Sequence, residues 1–400
     1  MKKNVHIVGG GACALMLACE LDPQKFKVTL FEKNNQPGRK FLVAGEGGLN
    51  ITHSEKAEVF IKRYSPYLFL EKAFLHFSNL DLVNWFSDLG VKTFVGSSGR
   101  VFPEKGMKPI EVLTTILAKI KKRGVSIRTS SVWEGFSDSN SLMISDKEGR
   151  YETDADVTVF CLGGASWPIT GSAGDWRQFF EAKHIHTNDF GASNCAFRIE
   201  WPPAFINKIE GSPIKNCLII CGTNSQLGEV VLTKFGIEGS GIYPLSPHIR
   251  ESLNNKGSAE IFVDLKPNLS SEKIIEKLKA EKRENTYTKH VMHQLNLSDT
   301  QVRLLKQFLS KEEFLDISSL AVHIKKFKLV IVGMGPIEEA ISTVGGIDLK
   351  EIDENFELKK LKNNFVIGEM LDYDAPTGGY LLQSCFSMAN YVAHFLNNRE

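Results

Sequence analysis

A turn built from small residues is the first feature of the sequence that could do chemistry. The stretch VHIVGGGACALMLACEL places Gly9, Gly11 and Ala14 at the three positions of a G-x-G-x-x-G/A pattern. The first glycine permits a tight turn, the second lets backbone approach a pyrophosphate, and the small third residue lets helix and strand pack closely. The helix N-terminus offers free N–H groups to an anion. The spacing therefore predicts a strand, a dinucleotide-binding turn and a helix.

An acidic residue follows where such a turn needs one. KVTLFEK (27–33) predicts a second strand that ends near Glu32, 23 residues after Gly9. A carboxylate at about this spacing grips the ribose hydroxyls of a bound dinucleotide. Because the acid favours an unphosphorylated ribose, it indicates FAD or NAD rather than NADP. A glycine turn without any ligand is the alternative interpretation.

Three more glycine-rich segments occur at 38–54, 157–175 and 365–396. The first, GRKFLVAGEGGLNITHS, is too rich in glycine for a regular helix or strand, yet too apolar for a loose linker. The other two each begin with a short apolar strand. Glycine allows backbone to lie against a ligand without a Cβ clash. We therefore interpret all three as backbone that faces a cofactor.

The chain resembles the YhiN/BaiN-like family of NAD(P)/FAD-dependent flavoproteins over essentially its whole length. Five motifs carry the resemblance: GRKFLVAGEGGLN at 38–50, GRVFP at 99–103, LGGAS at 162–166, TVGG at 343–346, and the GE, LD and TGGYLLQ elements within 368–383. Many members end the first motif in Arg-Cys-Asn. Here GEGGLN stands in place of that GGGRCN-type segment, which marks a subgroup.

The resemblance implies a non-covalently bound FAD and a set of contacts to it. The expected cofactor-binding residues are Gly9, Gly11, Ala12, Cys13, Ala14, Glu32, Lys33, Gly38, Arg39, Lys40, Ala44, Gly45, Glu46, Gly47, Gly48, Leu49, Asn50, Val132, Gly163, Gly164, Gly368, Glu369, Asp372, Thr377, Gly378, Gly379, Tyr380 and Leu381. By resemblance, Gly368 and Glu369 reach the ribityl and pyrophosphate region. The last helix would open toward the flavin pyrimidine, where a helix N-terminus stabilises negative charge.

The predicted fold is α/β: a Rossmann-like, two-dinucleotide-binding FAD domain with an inserted β-rich domain and a helical insertion. The FAD domain is expected at 1–187 and 341–400, and an inserted substrate domain at 188–340. Within the insertion, we expect strands in 188–269 and 329–340 and helices in 270–328.

A second apparent fingerprint, KLVIVGMGPIEEA, occupies 328–340. Glu338 stands where the pattern requires a small residue, so we interpret this segment as a strand and a turn without a nucleotide. Upstream, residues 121–164 alternate like a small antiparallel meander, with turns at 137–140 and 147–149.

Composition places the chain among ordinary globular proteins. The net charge is +1, with 42% apolar and 24% charged residues, so no global field attracts nucleic acid or membrane. No apolar run is long enough to span a membrane. The seven cysteines are odd in number and lack C-x-x-C spacing, which favours a reduced, cytoplasmic protein. His290 and His293 have no partner at metal spacing, so no metal is expected.

The predicted activity is that of an FAD-dependent oxidoreductase, with hydride transfer through flavin N5. The family includes a ribosomal RNA dihydrouridine synthase, so the resemblance implies reduction of a uridine in ribosomal RNA. One alternative is a flavin oxidase or reductase of a small amine or steroid-like molecule. Another is a non-catalytic, FAD-containing RNA-binding or assembly protein. NADH or NADPH is the expected transient electron donor, and the oligomeric state is left open, with a monomer as the working expectation.

Reduction of a uracil ring also needs a proton donor near the flavin. Tyr380, Asp374, His53 and Cys385 are candidates because they lie near the FAD motifs in sequence, with a structural role as the alternative for each. The segment 271–328 carries twelve Lys/Arg against eight Asp/Glu. Its basic residues, such as Lys282, Arg283 and Lys289, would hold RNA phosphates, or would simply form a solvated face.

Overall fold

The computed structural model describes residues 1–44, 48–280, 284 and 286–399. The chain divides into two compact units. Unit 1 comprises 1–192 and 337–400, and unit 2 comprises 193–336. Whether unit 2 carries a substrate site, as expected from the sequence, stays a prediction.

Unit 1 begins with alternating strands and helices. Its strands up to the boundary with unit 2 are β1 (Lys3–Val8), β2 (Phe26–Glu32), β3 (Thr52–His53), β4 (Thr93–Val95), β5 (Arg100–Pro103), β6 (Ser126–Thr129), β7 (Val132–Phe136), β8 (Leu142–Asp146), β9 (Gly149–Thr153), β10 (Val157–Phe160) and β11 (Thr187–Ser193). Its helices in the same part are α1 (Ala12–Glu20), α2 (Arg39–Ala44), α3 (Ala57–Phe60), α4 (Leu68–His76), α5 (Asn79–Asp88), α6 (Pro109–Lys122) and α7 (Arg177–Glu181).

Unit 2 follows with its own sheet and helices. Its strands are β12 (Phe197–Arg198), β13 (Ser212–Cys221), β14 (Asn224–Thr233), β15 (Gly236–Glu238), β16 (Ala259–Asp264), β17 (Phe327–Ile331) and β18 (Gly333–Met334). Its helices are α8 (Pro203–Ile206), α9 (Ser246–Lys256), α10 (Ser271–Lys279), α11 (Tyr287–Leu295), α12 (Asp299–Phe308), α13 (Lys311–Leu315) and α14 (Ile317–Lys325). The chain then returns to unit 1 with β19 (Ser342–Ile347), β20 (Asn364–Val366) and α15 (Tyr380–Asn398).

A parallel five-stranded sheet forms the centre of unit 1, in the order β20-β10-β1-β2-β6. The last four residues of β1 are buried, as expected for a strand covered on both faces. Helix α1 is apolar almost all round and is buried from Cys13 to Cys19. The carboxyl ends of β1, β2 and β10 lie side by side, which is where this fold places ligands.

The predicted meander is confirmed for β7, β8 and β9, which form an antiparallel sheet. The flanking strands β6 and β10 pair in parallel with β2 and β1, so they belong to the central sheet and not to the meander. A third sheet, β3-β5-β4, carries the GRVFP motif on β5.

Unit 2 contains a seven-stranded sheet in the order β17-β16-β13-β14-β15-β12-β18. Helices α10 to α14 lie between β16 and β17 in sequence, as the pattern at 270–328 predicted. Ser270 caps α10 by accepting a hydrogen bond from the N–H of Lys273. The second fingerprint forms β17, β18 and a single 3₁₀ turn (Ile337–Glu339) with no α-helix behind it, so its interpretation as strand and turn is confirmed.

Candidate functional site

The turn between β1 and α1 has the geometry of a phosphate-binding turn. Gly9 has φ +96°, and a Cβ on it would lie 2.5 Å from the carbonyl oxygen of Cys161 at the end of β10. Gly11 is the N-cap of α1, and a Cβ added there would meet no described atom within 4 Å. Ala14 is fully buried in the first turn of the helix. The backbone at Gly11 is therefore bare, and the space beside it is open.

Glu32 stands at the end of β2 and faces this turn. Its side chain is 7% exposed, and Oε2 accepts a hydrogen bond from the N–H of Gly10 at 2.7 Å. Oε1 accepts from the backbone and side-chain nitrogens of Asn34, each at 2.7 Å. Two carboxylate oxygens offer about four acceptor positions. The carboxylate is thus held in place with capacity left for a further hydroxyl donor.

A cavity of about 240 Å³ adjoins both features. Its lining residues are Val8, Gly9, Gly10, Gly11, Phe31, Glu32, Lys33, Asn34, Gly38, Arg39, Lys40, Ser131, Val132, Trp133, Glu134, Cys161, Leu162, Gly163, Thr170, Gly171, Ser172, Asp175, Trp176, Gln178 and Phe179. Apolar walls with a few fixed polar groups are typical of cofactor pockets. The indole nitrogen of Trp133 is buried and has no hydrogen-bond partner among the described residues.

Lys40 and Glu369 join three of the glycine-rich segments. The ammonium of Lys40 on α2 lies 2.9 Å from Glu369 Oε2 and donates to Ser166 Oγ, also at 2.9 Å. The other carboxylate oxygen of Glu369 accepts from the N–H of Thr343 at 3.1 Å. Segments 38–44, 162–166 and 368–369 therefore meet in unit 1, as their common interpretation as cofactor-facing backbone requires.

Two expected glycines have a packing reason of their own. A Cβ on Gly164 would lie 2.0 Å from the hydroxyl of Thr343, and one on Gly368, which has φ +90°, would lie 2.5 Å from Cys13 Sγ. Cys13 is buried in α1, and burial raises the pKa of its thiol well above the ordinary value, with Cys385 raising it further. Gly163 lines the cavity, whereas Gly164 and Gly368 permit close packing against Thr343 and Cys13.

The segment that begins at Gly38 is described only in part. Arg39 donates to Asn34 Oδ1 at 2.9 Å, which supports the side chain that holds Glu32. The side chain of Ala44 and residues Gly45, Glu46 and Gly47 lie outside the described residues. Gly48 has φ +107° and is exposed, and Leu49 is buried.

Asn50 makes contacts that its sequence motif did not predict. Its amide nitrogen donates to the carbonyls of Thr52 at 2.8 Å and Val101 at 3.0 Å. Its Oδ1 atom is buried, with no partner among the described residues. The amide therefore ties β3 to β5, and only its oxygen remains available to a donor.

Two glycines lie at the start of α15, and close packing accounts for Gly379 but not for Gly378. Gly379 is the N-cap with φ +92°, and a Cβ there would lie 2.6 Å from the Cα atom of Thr52. Gly378 has φ +114°, and a Cβ on it would lie 3.5 Å from Arg100 Nε. Asp372 accepts from Gly345 N–H at 3.0 Å and from Asn188 Nδ2 at 2.7 Å. Thr377 is half-buried, and Leu381 packs against the core.

Two of the proton-donor candidates lie together in a hydrogen-bonded cluster. The phenol of Tyr380 donates to Glu55, which Arg63 holds with two bonds of 3.0 Å. Burial and Glu55 raise the pKa of Tyr380; burial opposes ionisation of Glu55, but the bonds from Arg63 and Tyr380 lower its pKa overall. His53 stacks on Tyr380, accepts from Glu55 N–H at Nδ1, and so donates from Nε2 to Ser98 O at 3.0 Å.

The other two candidates are buried. Cys385 is 8% exposed and neighbours Cys13, and Asp374 is 6% exposed and pairs through its backbone with Ser65. None of the four candidates lines the cavity beside Glu32. The aromatic wall of that cavity is formed by Trp133, Trp176 and Phe179. No sequence motif predicted it, because these residues fall in segments without a recognisable pattern.

Neither a metal centre nor a membrane span is found in the described part of the chain. No group of three or more His, Cys, Asp or Glu residues there could hold a metal ion. His290 is buried with its Nε2 atom 3.2 Å from Leu278 O, whereas His293 is exposed. Within the same residues, no helix combines the length and apolar character needed to cross a membrane.

The parallel sheet, the bare glycine turn and the acid that ends β2 define a Rossmann-type dinucleotide-binding fold, and the family that carries it here is one of FAD-dependent oxidoreductases. Within that class, the chain belongs to the family described as the HI0933-like protein Rossmann domain, whose model matches residues 3–395. The resemblance inferred from the motifs is thereby confirmed at the level of the family.

Individual relatives are similar over their full length. The chain is 23% identical to a ribosomal RNA dihydrouridine synthase of Haemophilus influenzae, over 96% of each chain. It is 20% identical to a 3-dehydro-bile acid delta(4,6)-reductase of Clostridium scindens, over 95% of each chain. Among solved structures, a 3-ketosteroid delta1-dehydrogenase of Sterolibacterium denitrificans aligns over 100% of both chains with a TM-score of 0.53 and 12% identity, which establishes a shared fold.

Proposed function

We propose that FAD binds in unit 1 with its adenosine half in the cavity beside Glu32. The fit rests on the open space at Gly11, the acceptor capacity left on Glu32, and the buried indole nitrogen of Trp133. When bound, FAD supplies a flavin ring that accepts and donates a hydride. The N-terminus of α1 and the free backbone at Gly11 would hold the pyrophosphate.

The remaining residues of the site would orient the cofactor. Glu32 would accept a hydrogen bond from a ribose hydroxyl, since its position is fixed by Gly10 and Asn34. Lys40 is neutralised by Glu369, so the pair would contribute hydrogen-bonding groups rather than net charge. The aromatic side chains of Trp133 and Phe179, which line the cavity, would shield the adenosine half from water.

We further propose that the substrate is a uridine in ribosomal RNA. The supporting observation is full-length similarity to a ribosomal RNA dihydrouridine synthase. Dihydrouridine differs from uridine by two hydrogens across a carbon–carbon double bond that is conjugated to a carbonyl. The bile-acid relative is named for reducing a 3-oxo compound with delta(4,6) unsaturation, which is the same kind of bond. Hydride addition to such a bond requires a proton for the neighbouring carbon.

A small-molecule reductase is the second candidate, because the bile-acid relative also matches over nearly the whole chain. The two candidates differ in how much charge the protein must neutralise. RNA binding requires phosphate contacts and weakens steeply with salt, whereas an uncharged steroid-like substrate has no such dependence. Lys273 and Lys277 on α10 and Lys289 on α11 are exposed and suited to phosphate contacts. Lys282 and Arg283, which the sequence also suggested, lie outside the described residues.

Mass spectrometry of ribosomal RNA nucleosides tests the proposal. Cells with an intact and a deleted gene are compared, and the deletion is complemented with wild type or with Lys273, Lys277 and Lys289 all changed to alanine. We expect dihydrouridine to disappear on deletion, return with wild type, and return only in part with the triple variant. Unchanged dihydrouridine in the deletion strain would reject ribosomal RNA as the substrate and leave the FAD site standing.

The electron donor is tested separately. We propose NADH or NADPH as the transient donor, since the chain has no thiol pair of C-x-x-C spacing to pass electrons onward. Anaerobic addition of each nucleotide to the yellow protein is expected to bleach the flavin absorbance. A flavin that neither nucleotide bleaches, together with tight RNA binding, would support the non-catalytic alternative.

A further inference from the structure

The GRVFP motif contains a cation that the described residues leave unpaired. Arg100 is half-buried on β5, and its guanidinium makes no hydrogen bond or ion pair with any residue the structure describes. Arg63 and Arg177, by contrast, each hold carboxylates. A guanidinium stays charged in proteins, and a partly buried charge without a partner costs free energy. A ligand at this face of β5 would supply the missing partner.

The location of Arg100 indicates which ligand. In the β3–β5 pair Arg100 lies opposite His53, so their side chains share one face, and Phe102, two residues along, shares it too. A Cβ on Gly378 would lie 3.5 Å from Arg100 Nε, and a Cβ on Gly48 would lie 3.6 Å from the Phe102 ring. This face of β5 therefore lies between the glycines of the first and last cofactor-facing segments.

We propose that Arg100 stabilises the negative charge that the flavin ring acquires when it is reduced. This inference rests on the proposed FAD site, because Gly48 and Gly378 belong to the glycine-rich segments that we interpret as facing the cofactor. A fixed cation in a partly dry site interacts strongly with a developing negative charge. The planar, forked guanidinium also suits the nitrogen and carbonyl oxygen along the pyrimidine edge of the ring.

The midpoint potential of the bound FAD measures this role directly. Arg100→Gln removes the charge. If the glutamine variant does not fold, Arg100→Met is used in its place, because methionine keeps an apolar stem of similar length. Arg303→Gln is the matched control, since Arg303 pairs with Asp299 on α12 of unit 2 and is 47% exposed. We expect either Arg100 variant to shift the equilibrium at least tenfold toward oxidised flavin, about 30 mV for a two-electron couple. Arg100→Lys keeps the positive charge, so its midpoint potential should lie between that of wild type and that of the neutral variants.

The inference is overturned by a neutral Arg100 variant that binds FAD with the wild-type potential. An unchanged potential with a raised KM for substrate would also overturn it, and would make Arg100 a substrate contact. A wild-type protein that binds no FAD rejects the proposed cofactor site itself, so the two failures are distinguishable.

Discussion

The ammonium of Lys40 lies 2.9 Å from a carboxylate oxygen of Glu369, across 329 residues of sequence. Glu369 is 8% exposed, and the same ammonium donates to Ser166. The Lys40 ammonium thus connects the segment after the ribose acid with the glycine-rich segments 157–175 and 365–396. Because the pair is largely buried, removing one partner leaves the other without compensation.

Lys40→Met is therefore expected to destabilise the protein by ~2 kcal/mol, less than a fully buried pair would lose because Lys40 remains 28% exposed. Adding Glu369→Gln should recover part of that loss, since no uncompensated carboxylate remains. Lys72→Met is the control: it breaks a surface pair with Glu354 and should cost less than ~0.5 kcal/mol. Urea unfolding measures all four proteins. Equal losses for Lys40→Met and Lys72→Met would contradict the buried pairing.

Gly368 and Cys13 provide a test of close packing. Gly368→Ala places a Cβ 2.5 Å from Cys13 Sγ and strains a backbone with φ +90°, so we expect a loss of ~2–3 kcal/mol. Cys13→Ala removes the sulfur. The double variant should therefore regain the part of the lost stability that the clash causes, but not the part that the strained φ of residue 368 causes. Thermal unfolding of the two single variants and the double variant checks this. Strict additivity of the two losses would show that the sulfur is not the obstacle.

Tyr380 is both a proton-donor candidate and a structural residue. Its phenol is committed to a hydrogen bond with Glu55, so Tyr380→Phe is expected to cost ~1 kcal/mol of stability. We expect turnover, once a substrate is assigned, to stay within a few-fold of wild type at equal FAD content. A hundredfold fall in kcat with unchanged FAD content would instead identify the phenol as the proton donor.

His6 on β1 should make stability depend on pH. Burial, reinforced by Arg128 and opposed by Asp154, lowers the pKa of His6 from 6.5 to about 4, and its Nδ1 atom has no partner among the described residues. Between pH 6.5 and about 4, His6 is therefore protonated in the unfolded chain but neutral in the folded chain. Stability is complete above pH 6.5 and falls by up to ~2–3 kcal/mol as pH drops toward 4.

His6→Leu is expected to remove that part of the pH dependence, whereas His293→Gln, at an exposed site on α11, should leave it intact. Urea unfolding at pH 4.5, 5.5 and 7 measures the slope. A wild-type slope that persists unchanged in His6→Leu would assign the effect to other groups.

The sequence predicted what local patterns determine: β1, the glycine turn, the acid that ends β2, and the helices of 270–328. It could not predict partners that only the fold brings together. Lys40 and Glu369 were both expected to contact the cofactor, but their ion pair was not predicted. Asn50 was also expected to face the cofactor, whereas its side-chain nitrogen donates to backbone carbonyls. Trp133 and Phe179 follow no motif, because an aromatic wall requires only bulk at the right place.

Binding of FAD at the turn before α1 is tested most directly by the flavin content of the purified protein. Flavin released from wild type is expected at about one FAD per chain, measured by absorbance. Gly11→Val should bind no FAD, because the valine side chain occupies the space that the pyrophosphate needs. The free energy of unfolding of the FAD-free protein should change by no more than ~1 kcal/mol, since a Cβ at this position meets no described atom within 4 Å. A colourless wild type that gains no FAD on reconstitution, or a Gly11→Val protein that retains full FAD content, would contradict the account.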